Sequence, residues 1–597
     1  MSRKSALEMS ASALAQADVG AAPVHAGQIG GAIGDAASNE AIARLKQASQ
    51  NIKNAENSKM LVRAVQAVHA GDYVKADKLA LKLLQREEQL GLAWHILAIA
   101  REKNGDYASS LRAYEAAVAL LPDQSAVAGD LGRLAFRMNM PELAAKFFAH
   151  YRLNRRDDIE ASNNLACALR EMNRDDEAIE VLKEALALNP EATALWNTLG
   201  TVLCNMGRAG DSLVFFEESL RLDPDYAKAW HNRAFAKCDL GDIEGALVDC
   251  EAALKLPAQA QDVAIMRFAR STLLLALGRL EEGWKAYEAR FSPELTEAPL
   301  FYIGGTRWTG QDLTGKAVLI VAEQGLGDEV MFASMLPDII ERLGAKTQVT
   351  LAVERRLVPL FQRSFPDIEV LPHRTVSFEG RVWRTVPDVQ DWSRFDYWTA
   401  LGAFLPTLRG SVADFPARDR FLAPDPERVA YWKAQLEALG PKPKVGLLWK
   451  SLVLQGERAR QFSPFQHWEP VLKTPGVTFI NLQYGDCAEE IAFAKEAFGV
   501  EIWQPPGIDL KQDLDDVTAL CAAVDLVIGF SNATTNLAAA AGAPLWLITI
   551  AKAWTRLGAP NYPWYPQARC FVTETYRDWT QPMADIAEAL AVFPATR

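Results

Sequence analysis

Long apolar runs are missing from this chain. Nowhere do about 18 apolar residues stand one after another, so no membrane-spanning helix is expected. Arg3 and Lys4 open the sequence with no apolar core behind them, and Asp18 interrupts the next stretch. A signal peptide is therefore not expected, and the expected location is the cytoplasm. Cysteine is sparse: the seven residues Cys167, Cys204, Cys238, Cys250, Cys487, Cys521 and Cys570 contain no CxxC pair. They read as reduced thiols rather than a disulfide framework. Blocks of basic residues are absent too, and 63 Lys and Arg against 75 Asp and Glu give a net charge of -12. That sign excludes a general nucleic-acid binder. The seven histidines are scattered, with only His373 and His467 in the second half, so no metal site is expected. Asp513 and Asp515 form an Asp-x-Asp, but it opens a helical pattern and reads as its cap.

What the chain does have is length and an internal period. At 597 residues it is too long for one core, and about three or four domains are expected. Residues 1–55 are rich in Ala, Ser and Gly and read as a flexible tail. Residues 56–292 repeat at an interval of 34. Gly71, Gly105, Asn139, Asn173, Gly207 and Gly241 share one phase, and all tolerate the left-handed turn that joins paired helices. Five positions later stand Ala76, Ser110, Ala144, Ala178, Ser212 and Ala246, small enough to let two helices approach. Trp94, Trp196 and Trp230 recur before the turns, and Pro122, Pro190 and Pro224 close their units. A degenerate seventh unit runs through Gly278, Trp284 and Tyr287. This is the tetratricopeptide pattern, a superhelix of helix pairs whose inner face binds protein segments. Asn163, Asn164, Asn197 and Asn232 fall on the first helices of their units, where amides can pair with an extended backbone or stand as solvated surface residues.

The remaining chain alternates strands and helices. Residues 293–425 carry strands at Val318–Val321, Gln348–Val353 and Ile368–Leu371, and 426–597 carry strands at Val445–Trp449, Val477–Leu482, Val524–Phe530 and Leu545–Ile548. Two α/β lobes with parallel sheets are expected, with a cleft between them. In the first lobe, VLIVAEQGLGDEVMF reads as strand, glycine turn and helix. Gly325 and Gly327 would let backbone approach a ligand, with Asp328 at the helix start facing the cleft or acting as its cap. In the second lobe, GFSNATTNLAAAAGAP is a strand end, a polar turn and a small-residue helix, whose N-terminus suits a phosphate or is a structural cap. Ser531, Asn532, Thr534, Thr535 and Asn536 would add hydrogen bonds. Gln483 and Tyr484 in NLQYG are placed to meet a base, and Lys450, Arg458 and Arg460 to neutralise anionic groups of a donor, or to lie in a solvated loop. Trp554, Trp564 and Tyr565 are open to stacking on a sugar or to filling the core.

The pairing of EQGLGDEVMF with DLVIGFSNATTNLAAAAGAP and PNYPWYP resembles a bacterial family that joins tetratricopeptide repeats to a GT-B domain related to heptosyltransferases. Within it the chain most resembles flagellin O-glycosyltransferases. The resemblance implies an acceptor-side lobe at 293–425 and a donor-side lobe at 426–597. It implies metal-independent inverting transfer of a pseudaminic or legionaminic type nonulosonic acid from a CMP-sugar to flagellin Ser or Thr, supporting filament assembly. No separate cofactor is implied. Asp328 matches the family's base, with Glu323 and Glu329 as spare carboxylates. Where the family has Asp-Thr-Gly and a later His, this chain has Ser531, Asn532, Ala533 and Asn536, so UDP-GlcNAc and ADP-heptose stay open as donors. A partner-gathering adaptor without transfer activity is the other alternative.

Overall fold

The computed structural model describes residue 28 and residues 55–121, 125–153, 155–295, 298–378, 381–452, 461–573 and 578–593. Most of the expected tail lies outside them, as do Pro122, Arg458 and Arg460. The chain forms two compact units, one from Gln28 to Ala236 and one containing Lys237–Arg597.

The first unit is a stack of helix pairs running from Ala55–His69 to Ala209–Leu222 and into Ala227–Asp239. Each phase-marking residue takes the left-handed conformation, with φ of 71° at Gly71, 83° at Gly105, 57° at Asn139, 56° at Asn173 and 78° at Gly207. The same turn continues past the division, at Gly241 (84°) and Gly278 (73°). All six small residues five positions after the turns are fully buried between paired helices. The tryptophans repeat a bond as well as a position: Trp94, Trp196 and Trp230 each donate Nε1–H at 2.8 Å to a carbonyl six residues back, at Glu88, Pro190 and Pro224. That bond locks the entry to each pair and explains an aromatic residue with a donor at that phase.

The second unit opens with the helices Ile243–Ala253, Ala260–Ala276 and Leu280–Tyr287. Phe268, Leu275, Trp284 and Tyr287 share one core with Val318, Ile320, Val330 and Leu351, so the last helices are walls of the α/β half. The first sheet comprises β1 (Leu300–Phe301), β2 (Ala317–Val321), β3 (Gln348–Glu354), β4 (Glu369–Phe378), β5 (Arg381–Thr385) and β6 (Tyr397–Ala400). Its order is β1-β5-β4-β3-β2-β6, parallel except for the β4–β5 hairpin. The second comprises β7 (Lys444–Leu448), β8 (Thr478–Asn481), β9 (Ile502–Trp503), β10 (Leu526–Phe530), β11 (Leu545–Ile550) and β12 (Ala568–Thr573). Its order is β12-β11-β10-β7-β8-β9, parallel throughout. The fold is thus a helical solenoid followed by two Rossmann-like α/β lobes. β2 in the first sheet and β10 in the second each adjoin the place where strand order reverses, so the turns leaving them open at switch points, where such sheets bind ligands.

Candidate functional site

The turn after β2 runs from Ala322 to Gly325 into the helix Leu326–Phe332. Gln324 is held left-handed at φ 64° and is nearly buried. A non-glycine residue there stores about 1–3 kcal/mol of strain and persists only where the surroundings fix it. Arg384 on β5 supplies that fixing: its guanidinium donates to the Ala322 carbonyl at 2.7 Å and the Gln324 carbonyl at 3.0 Å.

Three carboxylates flank this turn, and they have different fates. Glu323 is buried, receives both Nε–H (2.7 Å) and Nη2–H (3.1 Å) of Arg290, and also accepts the Gly402 N–H at 2.7 Å. Glu329 is buried as well. One oxygen meets His373 Nε2 at 2.7 Å with Arg384 at 3.4 Å, and the other accepts the Glu354 N–H at 2.9 Å. Burial pushes the Glu329 carboxyl up, but the charges of His373 and Arg384 and the hydrogen bonds outweigh it and hold it below its ordinary value. Neither glutamate has the free oxygen a proton acceptor needs, so the expectation of Glu323 and Glu329 as spare bases is corrected. Asp328 alone is half-exposed, and it accepts the Gly325 N–H at 3.2 Å through Oδ2. It therefore caps its helix from a half-exposed position.

Across from this turn lies the helix Ala533–Ala540, entered from β10. Asn532 Oδ1 accepts the Thr535 N–H at 3.2 Å, and the Thr535 hydroxyl donates to the Phe530 carbonyl at 3.0 Å. Asn536 Nδ2 donates to the Asn532 carbonyl at 2.7 Å, and its Oδ1 accepts the Tyr565 hydroxyl, also at 2.7 Å. Thr535 and Asn536 thus build the tip rather than face a ligand. Thr534 is buried and Ser531 is exposed. Asn532 Nδ2 is shut from solvent without a partner, beside the first N–H groups of the helix at Ala533 and Thr534, which the cap does not take up.

Both turns meet. A Cβ added at Gly327 would stand 3.2 Å from Asn536 Nδ2 and 3.3 Å from the backbone nitrogen of Ala533. Gly327 is therefore needed where the two lobes touch. Two tyrosines complete the site. Burial pushes the Tyr562 phenol up to about 12; the Asp328 charge adds to the rise, and hydrogen bonds with Thr555 and Ser531 oppose it. Tyr565 is raised well above its ordinary value, by burial first and then by the neighbouring Tyr562 and Asp328 charges. Asp328, Ser531, Tyr562 and Tyr565 thus share one electrostatic neighbourhood spanning both lobes.

Other donor-side expectations are corrected. Gln483 is buried and accepts the backbone N–H of Trp449 (3.0 Å) and Lys450 (2.8 Å) on one oxygen, while its Nε2 donates to the Tyr484 carbonyl at 2.8 Å. It pins the loop after β7 and reads no base. Lys450 is paired with Glu490. Trp564 packs against Phe332 and Phe415 and belongs to the core. Trp554 packs on Trp284 and Tyr287. Asp513 holds the N-cap position of the helix Leu514–Ala523, as expected, with its carboxylate accepting the Asp509 N–H at 2.9 Å, and Asp515 in the first turn pairs with Arg363. No group of three metal-ligating side chains occurs among the described residues. None of their helices is long and apolar enough to cross a membrane.

In the repeats, Thr198 donates to Asn163 Oδ1 at 2.6 Å and Asn232 Nδ2 donates to Asn197 Oδ1 at 3.0 Å, tying each unit to the next. All four asparagines are buried, so the reading of solvated surface residues falls.

A protein named FlbA from Caulobacter vibrioides (strain ATCC 19089 / CIP 103742 / CB 15) is 69% identical over 596 residues, covering 100% of both chains. The chain belongs to the FlbA family. The tetratricopeptide repeat family matches this FlbA-type chain at residues 97–157 and 159–192, and such repeats bind proteins. Among solved structures, a tetratricopeptide repeat protein from Parabacteroides merdae ATCC 43184 is 15% identical, covering 40% of this chain and 96% of its own, with a TM-score of 0.36. MamA is 21% identical, covering 27% and 93%, with a TM-score of 0.24.

The features of this FlbA-type site that sequence reasoning missed are its supports. Arg384 lies in RVWRT, an alternation of bulky and polar residues that signals a strand, but nothing in it signals that the arginine turns inward under a glycine turn 60 residues earlier. Arg290, at the end of the last helices, was equally invisible as the partner of Glu323.

Proposed function

We propose that this chain is a metal-independent protein O-glycosyltransferase whose repeats recruit flagellin and whose α/β half transfers a nonulosonic acid from a CMP-sugar to flagellin Ser or Thr. One observation carries the reading: the half-exposed Asp328 follows Gly327 at one switch point, and Gly327 stands against the helix tip at the other, where Asn532 Nδ2 has no partner. In this mechanism Asp328 takes the proton of the acceptor hydroxyl as that oxygen bonds to the anomeric carbon. The bond from that carbon to the phosphate breaks, and CMP leaves with its charge held by the Ala533 and Thr534 N–H groups and Asn532 Nδ2. The positive end of the helix stabilises the anionic phosphate. The specific sugar and flagellin itself rest on the resemblance of EQGLGDEVMF and GFSNATTNLAAAAGAP to flagellin glycosyltransferases.

The test is the intact mass of flagellin incubated with a CMP-nonulosonic acid and either wild-type chain or Asp328→Asn. Wild type is expected to add a sugar-sized increment, and the variant, with its fold kept, to lose at least about 100-fold in rate. Full activity in Asp328→Asn would remove the base assignment. A second reading, a partner-gathering adaptor, draws on the engagement of Lys450, Gln483, Thr535 and Asn536 within the fold. Thermal-shift titration with CMP, UDP and ADP separates the two: stabilisation by one nucleotide names the donor class, and stabilisation by none favours the adaptor.

A further inference from the structure

β4 outlasts its neighbour. It runs from Glu369 to Phe378, whereas β3 ends at Glu354, which pairs with His373. From Arg374 onwards β4 is paired with β5 alone among the described residues. Successive residues of a strand turn their N–H and C=O groups to opposite sides, so two hydrogen bonds settle which way this stretch points. The Tyr302 N–H donates to the Arg384 carbonyl at 2.8 Å, so Arg384 faces β1 and its neighbours Trp383 and Thr385 face β4. Their partners Val376 and Arg374 therefore face β5, and Thr375 between them faces the other way. The far side of the sheet gives the same answer. The Ala352 carbonyl accepts the Ala322 N–H at 2.8 Å and so faces β2, which leaves Val353 facing β4, and Leu371 and His373 facing β3. Thr375 and then Ser377 continue that alternation past the end of β3, and their N–H and C=O groups meet no strand among the described residues.

The place of this open edge gives it a use. β3 lies between β4 and β2, so a strand added in line with β3, about 4.8 Å from β4, runs beside the turn that leaves β2 and leads to Asp328. Arg384 ties the two sides together: its Nε–H donates to the Thr375 hydroxyl at 3.3 Å, while its outer nitrogens hold the Ala322 and Gln324 carbonyls. Regularly spaced N–H and C=O groups match another extended polypeptide rather than a sugar or a nucleotide. Charge narrows the choice. Arg355, where β3 ends, and Arg374, beside Thr375, are both exposed and in no ion pair among the described residues, so a segment carrying carboxylates fits best.

We propose that the acceptor protein presents its Ser or Thr on an extended, acidic segment that adds to β4 at Thr375 and Ser377 as an extra strand, alongside the turn of Asp328. This rests on reading the α/β half as a protein glycosyltransferase. The test is hydrogen exchange of the full-length chain, read by mass spectrometry at 371–378 with and without flagellin, beside the intact mass of flagellin given a CMP-nonulosonic acid. Exchange at 371–378 is expected to slow at least tenfold when flagellin is added. Transfer of sugar with unchanged exchange there overturns the docking and leaves the transfer reading standing, whereas no transfer by the wild-type chain removes both. Protection that grows with the concentration of this chain alone assigns the edge to a second copy and overturns the proposal. Thr375→Pro withdraws an N–H that β5 does not use, so the hairpin keeps its ladder. With circular dichroism unchanged, it is expected to raise the flagellin KM at least tenfold and leave the CMP-sugar KM as it was. Thr375→Val keeps the N–H and loses only the hydroxyl, and is expected to raise the flagellin KM less than threefold. Equal effects of the two variants, or no effect of the proline, overturn the pairing.

Discussion

Glu329→Gln distinguishes a buried anchor from a catalytic carboxylate. The substitution keeps the shape of the side chain and removes its charge, leaving Arg384, which is 1% exposed, and His373 facing an amide instead of an anion. Breaking a buried ion pair from one side costs about 3–5 kcal/mol. For a cooperative unit of roughly 350 residues, 1 kcal/mol moves the midpoint by about 1.4 °C, so a fall of about 4–7 °C is expected by scanning calorimetry at pH 7. The pH dependence has a definite sign. The folded-state pKa lies below the ordinary 4.5, so the glutamate contributes its full stability above that value and loses it as pH falls through the folded pKa. The gap between wild type and variant should stay level from pH 8 to about 5 and narrow below about 4.5. A variant that melts within 1 °C of wild type at pH 7 while losing transfer activity would refute the anchor and restore Glu329 as a base.

Gly327→Ala puts a methyl group against the backbone of the opposite lobe, 3.3 Å from the Ala533 nitrogen, and crowding of this kind costs about 1–3 kcal/mol. Hydrogen exchange at 533–536 should quicken and transfer fall about tenfold or more; unchanged exchange would show the lobes are not in register there. In the repeats, helix propensity alone makes Gly200→Ala a gain of about 1 kcal/mol. The new Cβ would lie 2.6 Å from the buried Phe216 ring, so a net loss in urea denaturation is expected, partly recovered by adding Phe216→Leu. Burial pushes the Cys250 and Cys521 thiols up to about 12, so both should resist iodoacetamide at pH 8 in the folded chain and react once it is unfolded in guanidinium.

The repeats were legible because their signal is steric and local. A left-handed turn admits only a few residue types, and six turns at one interval leave little freedom, so even Asn139 and Asn173 could be placed among the glycines. The long inner strands were legible as β-branched runs, whereas the two-residue β1 and the short β5 and β9 carry too few residues for a period to show. The donor side was misread for a different reason. A polar side chain just after a strand looks the same whether it meets a ligand or pins a turn, and the partners that decide Gln483 and Lys450 lie 33 to 40 residues away. Neighbouring carboxylates pose the same problem. Asp328 and Glu329 differ by about 100° around one helix, and only the packing of His373 and Arg384 decides which of them turns inward.

The supports explain why so acidic a turn can exist. Three carboxylates within seven residues would repel one another in a low-dielectric core. Two of them are neutralised by buried arginines from distant parts of the chain, Glu323 by Arg290 and Glu329 by Arg384 with His373. Arg384 also holds the Ala322 and Gln324 carbonyls, so the cation that balances Glu329 is the one that fixes the left-handed Gln324. Charge-assisted hydrogen bonds of about 1.5–3 kcal/mol each suffice to offset strain of about 1–3 kcal/mol. The position of Asp328 against the Ser531–Asn536 tip therefore depends on residues 290 and 384, one at the end of the helices and one in a hairpin. A loss of transfer on mutating either arginine would reflect displacement of the aspartate, with no contact to the sugar required.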